Sequence, residues 1–293
     1  MNQPLYIPPT RKAVLIGSPG RGEDRLHGVE NDIENYYQFL LSPRGGAWRE
    51  PEIIVLADPT MDEVLNAIHS SYADYQFVYF SGHGNQDIYG NNFICLDGND
   101  LQDDYLFNAA GPRQFLLLDS CRKYYHTISG FPKEMERWKH ADGYSAAREM
   151  FDRYILNSPP GKMKMYAASP GQVAIDNRDG HGGEFTLALL KSIYNVNIDS
   201  GYHAIFPGAA LNDAKRILQS ERLKQIPELV NIEGDLQIPL GIASPQFISK
   251  ELVEQRRHQM NIRQQFERSR KRQSNQTAAG FIIAGLLIWG LSK

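Results

Sequence analysis

Two apolar runs, each closing on one chemically reactive side chain, constrain this chain more than anything else in it. Gln76-Phe77-Val78-Tyr79 has the short aromatic and β-branched pattern of a buried strand, and it runs into Phe80-Ser81-Gly82-His83-Gly84. Gln114-Phe115-Leu116-Leu117-Leu118 repeats the design and ends in Asp119-Ser120-Cys121. Glycines beside a histidine let backbone N–H groups approach a ligand, and the imidazole moves protons near neutral pH. Two strands of a parallel sheet place such residues at one carboxyl edge, where open α/β sheets build their sites. A thiol is a poor nucleophile until it loses its proton, and a neighbouring imidazole can take it. The pair His83 and Cys121 is therefore expected to be catalytic.

The surrounding chain alternates strand and helix patterns. Lys12 to Gly17 reads as a buried strand, and a helix with apolar Val29, Ile33, Tyr36, Leu40 and Leu41 is predicted over 29–41. Ile53 to Leu56 reads as a strand. Thr60 and Glu63 form a capping box that opens a helix to about Tyr72. The run Phe93 to Asp97 predicts a short strand that buries Cys95 in the core. Segment 122–143 lacks periodicity and reads as an exposed loop. Helices are predicted over 145–156, 183–194 and 209–221, with strands over 164–168 and 225–229. This order implies a mostly parallel sheet covered by helices on both faces.

Composition excludes several functions. Two cysteines with no Cys-x-x-Cys spacing argue against a zinc–thiolate site, and the loop after the first strand carries no phosphate-binding signature. The net charge of −3 hides an acidic body, residues 1–245, and a basic stretch beyond it with nine Lys or Arg against three Asp or Glu. That balance argues against nucleic acid as a partner and for an anionic surface near the C-terminus. No secretory signal is read at Met1-Asn2-Gln3-Pro4, so a reducing compartment is expected.

Taken together, Leu26-x-Gly28-x-x-Asn31-Asp32, Ser81-Gly82-His83-Gly84, Asp119-Ser120-Cys121 and Ala167-Ala168-Ser169-Pro170-Gly171-Gln172 before Gly183-x-Phe185-Thr186 resemble the caspase/metacaspase superfamily over roughly residues 12–240. The resemblance implies an α/β caspase-hemoglobinase-like three-layer sandwich and a cysteine endopeptidase with His83 and Cys121 as its dyad. It implies an oxyanion hole from the N–H groups of Gly84 and Cys121, and a pocket for substrate Arg or Lys lined by Asp32 and Asp119. Departures keep a second specificity open. Arg122 follows the nucleophile as in caspases, and Arg25 lies near where they place an arginine that binds aspartate. Many metacaspases hold calcium on aspartates, and Asp97, Asp103 and Asp104 offer suitable oxygens. Their spacing is short for that role, so a solvated acidic loop and no cofactor are expected. Self-cleavage at Lys133, Arg137 or Lys139 is a corollary of basic specificity. A catalytically silent scaffold is the non-enzymatic rival.

Residues 246–276 read as a polar basic helical linker with a thin heptad-like seam, a route to self-association. Residues 277–293 carry the apolar run Ala278 to Leu291 after the cluster Arg268-Ser269-Arg270-Lys271-Arg272. A single C-terminal membrane anchor is expected, with the catalytic domain held on the cytoplasmic side by the basic cluster. A membrane-active tail regulated by the peptidase domain is the alternative.

Overall fold

The computed structural model describes residues 7–124, 145–176 and 182–245. Its centre is a six-stranded sheet. In chain order the elements are β1 (Arg11–Ser18), α1 (Val29–Leu41), β2 (Ile53–Ala57), α2 (Met61–His69), β3 (Tyr75–Gly82), β4 (Gly84–Gln86), β5 (Asn92–Leu96), β6 (Asn99–Gln102), β7 (Arg113–Asp119) and β8 (Lys123–Tyr124). They continue with α3 (Ser145–Asn157), β9 (Gly161–Tyr166), α4 (Glu184–Tyr194), β10 (His203–Ile205), α5 (Pro207–Ser220), β11 (Glu228–Gly234) and β12 (Gly241–Ala243). The main sheet runs β11-β9-β7-β3-β1-β2, all parallel except β11, which pairs antiparallel to β9 at the edge.

Every residue of β1 and β3 is buried, which is why these strands read as continuous rather than alternating runs. Alternation survives inside them as a division between two cores. Ala13, Leu15, Phe77, Tyr79, Phe115 and Leu117 face one side, together with buried residues of α1, α3, α4 and α5. Val14, Ile16, Val78, Phe80, Leu116 and Leu118 face the other, under α2 and a second, four-stranded sheet ordered β6-β5-β4-β8. Each fully buried Leu, Ile or Phe contributes about 1.5–3 kcal/mol, so the two cores fix the strand register. The expected sandwich, with layers on both faces of a mostly parallel sheet, is what forms.

The Thr60–Glu63 capping box is present: Thr60 Oγ1 accepts from the Glu63 N–H, and Glu63 Oε2 accepts from the Thr60 N–H at 2.9 Å. The expected helix ends earlier, at His69, because Lys12 Nζ and Asn108 Nδ2 donate to the Ile68 and Ser71 carbonyls there.

Four further readings change. The strand expected over 164–168 begins at Gly161, and the one over 225–229 shifts to Glu228–Gly234. Cys95 is not in the core: β5 buries Ile94 and Leu96 and turns Cys95, half-buried, to its outer face. An apolar run of five residues on a surface sheet alternates, and the sequence could not show which parity faced inward. The exposed loop expected after Cys121 first forms β8, and the rest of it lies outside the described residues. So do the linker and the apolar run of the tail. Among the described residues no helix is long and apolar enough to cross a membrane.

Candidate active site

Backbone pairing positions the two reactive side chains. β3 and β7 pair in parallel with Ser81 opposite Asp119, and β4 and β8 pair in parallel with Asn85 opposite Lys123. Both ladders carry the same offset of 38 residues. His83 and Cys121 share that offset and fall in the interval between the ladders, on strands about 4.8 Å apart. Both are half-buried.

Gly84 faces the same segment. The Cys95 N–H donates to the His83 carbonyl at 2.9 Å, which makes Gly84 and Ile94 the non-hydrogen-bonded pair of the β4–β5 ladder. The Gly84 N–H therefore points away from β5, toward the Cys121 side. There is no room for a side chain at this position: a Cβ would stand 2.7 Å from the Ser120 side chain and 2.9 Å from the Cys121 carbonyl oxygen.

The imidazole is held from its other edge. His83 Nε2 lies 2.6 Å from the Asp24 carbonyl oxygen. A carbonyl oxygen can only accept, so Nε2 carries the hydrogen, and in the neutral imidazole Nδ1 keeps the lone pair. The loop that brings Asp24 in also brings Gly20, at φ +76°, against the Cδ2–Nε2 edge of the ring, where a Cβ would stand 2.7 Å from Cδ2. An ion pair from Arg21 to Asp97, in the β5–β6 turn, ties this loop to the second sheet. On the other strand, Cys121 Sγ lies 3.7 Å from the Ala174 carbonyl, to which it donates.

Asp32 and Asp119 come together below His83 and Cys121, between the N-terminal ends of α1 and α4. Asp32 is 2% exposed. Its Oδ2 accepts from Ser81 Oγ at 2.7 Å, and its Oδ1 from the Gly183 N–H at 2.7 Å. Asp119 is 6% exposed, and its Oδ2 accepts from Thr186 Oγ1 at 2.6 Å and from the Thr186 N–H at 3.1 Å. Burial pushes the Asp119 carboxyl up to about 6. Burial, and then the nearby Asp119 charge, hold the Asp32 carboxyl well above the ordinary range. A third carboxylate, Asp176, adds to the negative field on both. Its Oδ2 accepts from the His27 and Gly28 N–H groups, capping α1 from the loop that passes Cys121.

The arginines singled out in the sequence sit elsewhere. Arg122 is buried and points away from the dyad, donating to Asn92, to the Ala168 carbonyl and to Glu228, with its guanidinium 4.2 Å from the Tyr166 ring centroid. Arg25 is paired with Glu30 at 2.9 Å and donates to the Gly20 carbonyl. The aspartates considered for calcium do not fit a metal. Asp103 and Asp104 share Lys164 at 2.7 and 2.6 Å, Tyr166 also donates to Asp103, and Asp97 is taken by Arg21. Among the described residues no three His, Cys, Asp or Glu side chains group as metal ligands.

Gly20, Asp24, Ala174 and Asp176 escaped the sequence reading because their contributions run through backbone atoms or across long separations. The surplus of glycines at positions 17–28 and 180–183 was the available signal.

Comparison with known proteins agrees with this fold. The family model of the caspase domain matches residues 10–234. No curated protein sequence matches the chain. Among solved structures, caspase-1 of Spodoptera frugiperda superposes with a TM-score of 0.50 at 13% identity, covering 75% of this chain and 88% of that one. A protein of Geobacter sulfurreducens superposes with a TM-score of 0.50 at 16% identity, covering 82% of this chain and 97% of its own. An open sheet whose adjacent strand ends carry a histidine and a cysteine, matched by that model over most of the chain, places the protein in the caspase-domain family of cysteine-type endopeptidases.

Proposed function

We propose that Cys121 is the nucleophile and His83 the general base and acid of an endopeptidase that cuts polypeptides after Arg or Lys. The observation that carries the dyad is the common 38-residue offset on both sides of His83 and Cys121. In the mechanism, His83 Nδ1 takes the thiol proton and the thiolate attacks the substrate carbonyl carbon. The N–H groups of Gly84 and Cys121 receive the developing oxyanion. The imidazolium, with Nε2–H held by the Asp24 carbonyl, gives its proton to the leaving amine as the C–N bond breaks. Water then attacks the thioester with His83 again as base, releasing the acid and regenerating the thiol.

Basic specificity rests on Asp32 and Asp119. Two carboxylates this close and this buried repel each other, and a cationic side chain relieves both the repulsion and the desolvation. Selection of aspartate by Arg25 is disfavoured because that guanidinium is already paired with Glu30. Tethering through residues 277–293 rests on the apolar run and on the basic cluster before it. Mass spectrometry of peptides cut by residues 1–245 tests the specificity: cuts after Arg and Lys are expected, and cuts after Asp would overturn it. Carbonate extraction tests the tether. The full chain is expected to stay with membranes, and a chain ending at Gln276 to be released.

A further inference from the structure

The second sheet turns one face to the core and one outward, and the outward face continues from the dyad. Cys121 and His83 share a register position. Cys95 stands opposite His83 through its N–H bond to the His83 carbonyl, and Asp100 pairs with Cys95 in the β5–β6 ladder. These four residues therefore form one row across four neighbouring segments. In the next row Phe93 pairs with Asn85. Cys95, Phe93 and Asp100 are all half-buried, whereas Ile94, Leu96 and Leu101 on the opposite face belong to the core.

This face is rigid. Asn85, 8% exposed, donates through Nδ2 to Asp100 Oδ2 at 2.9 Å and to Cys95 Sγ at 3.5 Å. Burial, together with the Asp100 carboxylate, raises the Cys95 thiol well above its usual range, so Cys95 is a neutral thiol beside one anion.

The direction of the chemistry assigns the face an occupant. The acyl half of the substrate lies on the Asp32–Asp119 side of Cys121, and the leaving nitrogen must come within hydrogen-bond reach of the imidazole that protonates it. The residue that begins at this nitrogen therefore leaves Cys121 in the direction of His83. The row continues there into Cys95 and Asp100. We infer that the outward face of β4, β5 and β6, built by Asn85, Phe93, Cys95 and Asp100, is the subsite for the leaving-group half of the peptide and favours a cationic residue directly after the scissile bond. Asp100 supplies the charge, Asn85 fixes its carboxylate, and Phe93 offers apolar surface to an aliphatic stem. The nearby Asp97 is neutralised by Arg21.

The inference rests on the assignment of His83 and Cys121, and its test separates the two. The full-length enzyme is given peptides identical up to one arginine, with Lys, Ala or Glu after it, and kcat/KM is measured for each. A preference for Lys over Glu of about tenfold is expected, since a half-buried ion contact is worth about fivefold over a neutral residue. In Asp100→Asn the ratio should fall to about two or less, and in Asp100→Lys it should invert. Because the ratio is internal to each variant, poor folding does not disguise it. A ratio of one in the wild type, or an unchanged ratio in both variants, overturns the subsite while leaving the peptidase assignment intact. Failure to cut any of the three peptides would overturn the proposed cleavage after Arg, on which the inference also rests.

Discussion

Asp32 and Asp119 approach each other across a single backbone position, Gly183. A Cβ there would lie 2.5 Å from Asp119 Oδ2 and 3.2 Å from Asp32 Oδ2. The two carboxylates belong to α1 and β7, but the α4 entry decides how close they come, through the Gly183 N–H and Thr186. A pocket assembled this way depends on the glycine as much as on the acids.

The acid pair gives a pH dependence with a definite sign. Asp119 titrates at about 6 in the folded chain against an ordinary 3.8. A cationic side chain needs the ionised form, so KM for an arginine peptide should rise as pH falls through about 6. A KM that stays flat between about pH 5 and pH 8 would count against the pocket.

The same shift makes a stability prediction. The folded carboxyl binds its proton more tightly than the unfolded one. Its contribution is fully present below about pH 4 and is lost as pH rises through about 6. Asp119→Asn removes the buried charge and keeps an acceptor for Thr186. The variant should be more stable than the wild type at pH 7, by on the order of 1–3 kcal/mol, with the difference vanishing near pH 4. Thermal unfolding at the two pH values measures this, and loss of the preference for basic substrates should accompany the gain.

Replacing the reactive residues separates chemistry from folding. Cys121→Ala should lower kcat by about 10⁴-fold or more, and His83→Ala by about 10²–10⁴-fold, each with an unchanged far-UV spectrum. Peptidase activity surviving in Cys121→Ala would exclude it as nucleophile.

Gly20 is predicted to matter although it carries no chemistry. A methyl group there meets the imidazole, at a positive φ that already disfavours alanine. Gly20→Ala should lower kcat by about 10²-fold, because misplacing a catalytic group by about 1 Å costs that much, while KM moves little. A parallel loss in both constants would point to a wider collapse of the loop.

Arg122 is expected to act on the fold. Its guanidinium meets Asn92, Ala168 and Glu228 and stacks on Tyr166, a geometry that lysine cannot reproduce. Arg122→Leu should destabilise the chain by about 3 kcal/mol, and Arg122→Lys by less, as read by denaturant unfolding. Wild-type stability in both would show that the network contributes nothing.

Much of the frame was legible because it is written in local chemistry. α1 appears over the predicted span because Ile33, Tyr36 and Leu40 repeat at helical spacing, and α2 begins where Thr60 and Glu63 cap it. The strand ends carrying His83 and Cys121 were visible for the same reason. Of the second sheet only the strand at 93–97 was, since strands of two to five residues give too little periodicity, and Cys95 on it was assigned to the wrong face. The Asp24 carbonyl and the Asp176 cap were beyond reach for a different reason. One acts through a backbone atom, and the other meets residues 27 and 28 across about 150 positions of sequence.

The separation in sequence between the parts of the site has a consequence for the chain during synthesis. Gly20 and Asp24 leave the ribosome early, Cys121 later, and Gly183 and Thr186, which orient the carboxylates, later still. At about 5–20 residues per second, roughly 5–20 s pass between His83 and Thr186. Throughout that interval the nascent polypeptide carries its histidine without the segment that orients Asp32 and Asp119. The two carboxylates cannot take their final geometry until that last segment has been made.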